Sequence, residues 1–429
     1  MSCTLNRTSE SPPQYRWLIF SVLALQFIFV YFHRVSFAVV APELVQAFHI
    51  SGTALGVLTA GYFYTYACMQ LPVGLLVDSW GPRKTVSAFT LIAGVGAILF
   101  GLSPGFGMAT FARIIVGLGV STVFVSSMKI FTYWFHGREY ARVSGLFLSI
   151  GGLGWLMAAA PLAVLSKWFG WRTVFMAIGA ITLLLTIITW SIIKDKPEGG
   201  PCVRPGESGA KKGRLTIAKS IRQVLGERYF WPLAIWSFTN GGILFGFFGL
   251  WAGPYLMETH GLSKAAAGNI LSMVGLAMIF GSPVLGYITD RVVKSRKMIL
   301  LCSSVVHSLC WVVLLLYHRA MPYPSLYVLF FIMGLTSCAI PVVLLTATRE
   351  LFPGEIAGTG QGIMNLFPFV GSMVFQPMLG FILDKTRTAE GHYVYENAMW
   401  FLLIACVVGI ASLLFMKSEG KCMIGGTVK

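Results

Sequence analysis

The chain has 429 residues, of which 56% are hydrophobic and 11% charged, with 32 Lys and Arg against 16 Asp and Glu. Average soluble domains carry about twice that charged fraction, so a soluble enzyme is excluded. The net charge of +16 comes without a soluble basic module, which excludes nucleic-acid binding.

Apolar runs of about 20 residues recur along the whole chain, each long enough to cross roughly 30 Å of hydrocarbon as a helix. They predict an all-α polytopic membrane protein with twelve transmembrane helices, at 16–41, 52–77, 84–103, 107–135, 142–167, 172–193, 229–257, 264–289, 297–317, 324–349, 357–383 and 397–416. The residues before the first run read as a flexible tail, and that run, with no cleavable leader ahead of it, reads as a retained signal-anchor. On this map 23 of the 32 cations lie in alternate loops and the two tails, 6 in the opposite loops and 3 (Arg34, Arg113, Lys129) inside spans. The positive-inside rule therefore predicts that both termini and the central loop are cytoplasmic, in a plasma (inner) membrane.

In the first span, Arg34 interrupts apolar sequence. A guanidinium stays charged and is costly in hydrocarbon, so it is expected to face a cavity where an anion meets it. Tyr31 lies one turn earlier. His33, with an ordinary pKa near neutrality, is a candidate proton relay. In the second span Tyr64 and Tyr66 are further cavity candidates, and Gly74-Leu-Leu-Val-Asp78-Ser-Trp-Gly81-Pro-Arg83-Lys84 follows. In the fourth, Thr122, Ser126, Lys129 and Tyr133 fall on one helical face and form a polar stripe that would line a cavity, with Lys129 and Ser126 as substrate contacts.

Residues 194–228 form the one long polar break, a cytoplasmic linker between an N-terminal bundle (1–193) and a C-terminal bundle (229–429). In the seventh span Asn240, beside Gly241-Gly242, is a substrate candidate, and Trp251 a further one. After the eighth comes Gly286-Tyr-Ile-Thr-Asp290-Arg291, then Lys294, Arg296 and Lys297, echoing the first loop after an interval of about half the chain. Such a parallel repeat is what a two-domain, alternating-access transporter shows. An Asp at that place can cap a neighbouring helix or pair with Arg and latch the halves in one state, so Asp78, Arg83, Lys84, Asp290 and Arg291 are gating candidates. In the eleventh span Gln361, Asn365 and Gln376 are polar, and Asn365 is taken as a substrate contact. No Asp or Glu falls at mid-span, which disfavours binding of cationic drugs. The eight Cys have no metal-ligand spacing, and neither a nucleophilic triad nor a phosphate-cradling Gly-Lys-Ser/Thr loop occurs, so the chain is not read as an enzyme and no metal or cofactor is expected.

These residues resemble the major facilitator superfamily over essentially the whole chain. Gly74, Asp78, Gly81, Arg83 and Lys84 match its signature between spans two and three, and Arg113 with Gly117 and Gly119, and Gly170-Trp171-Arg172, agree further; the spacing of Arg113 from Gly117 looks like the superfamily's structural arginine, which implies that it hydrogen-bonds between helices. The resemblance implies the major facilitator fold, two six-helix bundles. Arg16-Trp17 followed by Arg34, Phe37, Ala38 and Pro42 looks like the first span of the organophosphate:phosphate antiporters, and Lys129 ahead of Trp134-Phe135 resembles both these and the organic anion:cation symporters. The antiporters' second arginine, in the seventh span, has no counterpart here. The resulting expectation is a secondary active transporter of a small organic anion, a carboxylate or phosphorylated metabolite, working by proton symport or anion exchange as a monomer in the lipid bilayer. Its rivals are an exporter of hydrophobic compounds with the same fold and a non-transporting sensor or scaffold.

Overall fold

The computed structural model describes residues 13–197, 217–293, 295–317, 320–388 and 391–416. Among these, ten helical segments are long and apolar enough to cross a membrane. One of them, Glu139–Ile192, contains 54 residues and makes two passes, because Gly170 stands at φ 76° and turns the chain where a Cβ would be strained. Gly52–Trp80, of 29 residues, supplies a further pass, so the expected twelve are present. Large apolar side chains such as Leu91, Phe111, Ile187, Leu316 and Ile404 are exposed, as they are on a surface solvated by lipid.

Several spans are broken rather than continuous. The first is a helix over Pro13–Val35, a break at Ser36, and a second helix over Phe37–Phe48 that runs seven residues past the expected limit. The fourth breaks between Phe106–Val120 and Val123–Trp134. The seventh begins as Phe230–Gly241, widens into a π-helical stretch over Gly242–Trp251, and ends as Ala252–Thr259. The eleventh divides into Gly354–Met364 and Phe367–Lys385, where Pro368 cannot donate to the preceding turn. Inside the expected linker, Ile217–Gly226 is helical and packs on Gly354–Met364, burying Ser220 and Val224.

The sequence echo reappears as packing. In the first six spans the second packs on the fourth, the third on the sixth and the first on the fifth; in the last six the eighth packs on the tenth, the ninth on the twelfth and the seventh on the eleventh. The halves touch through the second span against the eleventh and the fifth against the eighth, which is the same pairing counted from either side. We call the end of the bundle at which Pro13 enters the terminal side and the opposite end the far side.

Close approach marks the far side. A methyl group on Gly56 would fall on the Gln376 carbonyl, one on Gly253 on the Ala38 carbonyl, and one on Gly268 would lie 3.0 Å from Ala160 Cα. Nearer the terminal side, Gly74, Gly145 and Gly362 have open space where a side chain would be. The halves are therefore pressed together at the far side and part toward the terminal side.

Candidate functional site

Arg34 lies in the last turn of Pro13–Val35, immediately before the break at Ser36. That break is held from the fourth span: Arg113 Nη1 donates to the His33 carbonyl at 3.0 Å, and its guanidinium sits over the rings of Phe37 at 4.1 Å and Tyr62 at 4.9 Å. Arg113 is thus bonded helix to helix, as the sequence led us to expect. Its packing depends on Gly117, where a Cβ would collide with the Tyr62 backbone.

Arg34 is 4% exposed and stands in an aromatic box. Its guanidinium carbon is 4.8 Å from the Tyr31 ring centroid, 4.9 Å from Tyr66, 6.0 Å from Tyr62, 5.1 Å from Phe245 and 4.9 Å from Phe369. The three tyrosines belong to the first half and the two phenylalanines to the second. Ring faces attract a cation by about 2 kcal/mol when it is desolvated. They do not neutralise it, and no carboxylate among the described residues pairs with it; Nε has no acceptor. The two phenylalanines also close the box: Phe63, Phe245 and Phe369 lie against one another with centroids 5.8 to 6.4 Å apart, joining the halves. On the far side of this layer the crevice between Val35, Trp155, Phe248 and Leu271 is too narrow for a water molecule.

The other expected site residues do not all converge. Tyr31 does. Lys129 pairs with Asp78 at 3.2 Å near the terminal side, with side chains 39% and 66% exposed. Sixteen positions of helix separate it from Arg113, roughly 24 Å of rise, so this arrangement does not bring Lys129 to Arg34. Ser126 is buried and its hydroxyl has no partner. Asn240 Nδ2 donates to the Trp236 carbonyl of its own helix at 3.0 Å. Asn365 Nδ2 donates across the halves to Gln70 Oε1 at 2.8 Å. His33 is buried with its ring against Phe32, and its Nε2 has no partner; it lies outside the box. Gln376 donates to the Phe245 carbonyl at 3.0 Å and accepts from Trp251 through its own carbonyl at 3.1 Å, which fixes the π-helical stretch carrying Phe245.

Among the gating candidates, Asp78 and Arg83 make contacts within their own half. Arg83 donates to the Trp190 carbonyl through Nε at 3.0 Å, and its backbone N–H donates to Asp195 at 2.7 Å. Lys84 and Arg291 are exposed, and the side chain of Asp290 lies outside the described residues. In the second half Lys297 bonds the Leu414 and Met416 carbonyls, both at 2.8 Å, as Arg83 bonds Trp190: a cation at the start of the third helix ties down the end of the sixth. Tyr62, Phe245, Phe369 and Gln70 were not singled out in the sequence. The spacing of Tyr62 and Tyr66, one turn apart on the helix opposite Gly117, was the one signal available.

Two six-helix bundles packed as a repeat define the architecture of a membrane carrier, and the sequence comparisons agree. The profile of the Major Facilitator Superfamily matches residues 23–263 and 247–421, so the chain belongs to that superfamily. It is an integral membrane transporter. Among its relatives, "Probable sulfoacetate transporter SauU" of Cupriavidus necator is 25% identical over 399 residues, covering 90% of this chain and 91% of the relative. "Hexuronate transporter" of Bacillus subtilis is 23% identical over 412 residues, covering 91% and 93%. "Probable hexose phosphate transport protein" of Chlamydia trachomatis is 23% identical over 432 residues, covering 94% and 91%. Among solved structures, the inward-facing and unoccupied form of a bacterial homolog to the human lysosomal transporter Spinster superposes with a TM-score of 0.71 at 18% identity, covering 95% of each chain, which shows the shared fold.

Proposed function

We propose that this chain carries a small organic anion by alternating access, the bundle of residues 1–193 rocking against that of 229–429, with both termini cytoplasmic. One observation carries the reading: Arg34 stands charged and, among the described residues, without a carboxylate partner where both halves meet, boxed by rings from each. A buried cation that lacks a counterion is costly, and a carboxylate, sulfonate or phosphate of the substrate supplies what is missing. Because the box draws on both halves, an anion bound there stabilises their closure around it. The relatives named above, all called after organic acids or sugar phosphates, support the same class. Asp78 and its basic neighbours are the gate on the terminal side, with Lys129 at the mouth of the path. Coupling is by proton symport or by exchange of anions, His33 being the candidate relay.

Purified protein in liposomes, offered a panel of carboxylates, sulfonates and phosphate monoesters, is expected to give saturable uptake or counterflow of at least one. Imposing and then collapsing a proton gradient separates symport from exchange. Movement of cationic drugs alone, with no flux of any anion, would overturn the reading.

A further inference from the structure

Spans two and eleven do more than touch at the far side. Asp384 ends the helix Phe367–Lys385 and reaches into the N-terminus of Gly52–Trp80: Oδ1 accepts from the Gly52 N–H at 2.8 Å, while Oδ2 accepts from the Thr53 N–H at 2.7 Å and the Thr53 hydroxyl at 2.6 Å. The first N–H groups of a helix have no partner within it and carry its positive end, so a carboxylate there makes charge-assisted bonds. The helix already has a cap of its own, Ser51 Oγ accepting from the Ala54 N–H at 3.2 Å. The two caps divide the work: Ser51 belongs to the same half as the helix, and Asp384 to the other.

The backbone is built for this approach. A methyl group on Gly380 would land on the Gly52 carbonyl, and one on Gly52 would lie 2.9 Å from Asp384 Oδ1 and 3.1 Å from the Gly380 carbonyl. Gly380 stands four residues before Asp384 and Lys385 follows it, the spacing of Gly74 to Asp78 and Gly286 to Asp290; this third copy stands at the opposite end of the bundle. A second polar bridge, Lys264 to Glu43, joins spans eight and one at the same side.

We propose that Asp384 is the catch that holds the far side shut while the terminal side is open. The proposal rests on alternating access as read above. The three bonds run between residues more than 330 apart in opposite halves, and they exist only while Gly52 and Gly380 are in contact. When the far ends part, Gly52 and Thr53 lose the carboxylate to water, and Ser51 keeps the helix start intact. Asp384 is thus a positioning residue, which sets the balance between the two open states and touches no substrate.

Hydrogen exchange of the full-length protein in nanodiscs, without substrate, tests this by comparing wild type, Ser51→Ala and Asp384→Asn. Loss of Ser51 is expected to speed exchange about tenfold at residues 52–55 alone. Loss of the Asp384 charge is expected to speed exchange there and also at the far ends of spans one, seven and eight, over 38–48 and 253–268. Gly380→Ala keeps the carboxylate and wedges the helices apart; it should reproduce the wide pattern if Asp384→Asn fails to fold. Faster exchange confined to 52–55 in both Asp384→Asn and Gly380→Ala, or no change in either, would overturn the catch. Since the readout needs no ligand, this outcome is separable from that of the liposome flux.

Discussion

At the scale of the residue, Arg34 and Lys129 are both cations in apolar sequence, yet they stand in opposite situations. Arg34 is caged and buried, with no acid beside it among the described residues; Lys129 is partly exposed, with Asp78 beside it. An exposed ion pair contributes about 0 to 1 kcal/mol, whereas a hydrogen bond to a buried charge contributes about 1.5 to 3. We therefore expect Arg34→Ala to weaken anion binding roughly ten- to a hundredfold. Arg34→Lys should be impaired as well, because an ammonium lacks the planar fork that meets two oxygens at once. Lys129→Ala should leave affinity within about threefold and change the rate of transport instead. Calorimetry of each variant with whichever anion the liposome panel identifies decides the matter; equal losses at both positions would mean that Lys129 reaches the anion in another state of the carrier.

At the scale of the element, the site depends on helices that are interrupted at particular places. The first span is interrupted at Ser36 just past Arg34, Arg113 bonds the His33 carbonyl beside that interruption, and Gly117 lets the fourth span close against Tyr62. A methyl group at Gly117 would lie 2.6 Å from Thr65 Oγ1 as well as on the Tyr62 carbonyl. Overpacking of this sort costs about 1 to 3 kcal/mol. Gly117→Ala should lower the melting temperature and, by displacing Tyr62, weaken anion binding. Gly107→Ala, at a position with nothing within 4 Å, should do neither. Thermal unfolding of the two variants, with and without the anion, separates them.

At the scale of the whole molecule, two sets of polar contacts at the far side, those of Asp384 and of Lys264, cross between halves, whereas the contacts of Asp78 and Arg83 at the terminal side stay within one half. The Lys264 to Glu43 bridge belongs to the first kind. Glu43→Lys alone would set two cations together there and is expected to slow uptake, while Glu43→Lys with Lys264→Glu should restore most of it. A double-mutant cycle on initial flux should give a coupling on the order of 1 kcal/mol. Independent effects that simply add would mean that the bridge does not contribute to closure.

Much of this was legible in the chain itself. Spans, their number and the half-chain repeat follow from hydrophobic length and from the recurrence of Gly-x-x-x-Asp, since hydrocarbon leaves a backbone almost no alternative to the helix. Arg34 was recognisable because a cation in apolar sequence has no inexpensive place to go. Which side chains surround it was not, as Tyr62, Phe245 and Phe369 are ordinary aromatic residues in membrane helices, distinguished by the crossing of spans from both halves. Nor could sequence tell that Lys129 would face Asp78, or that Asp384 would reach a helix start more than 330 residues away. Local sequence sets the cost of leaving a group unpaired; only the packing of one half on the other determines what pairs with it.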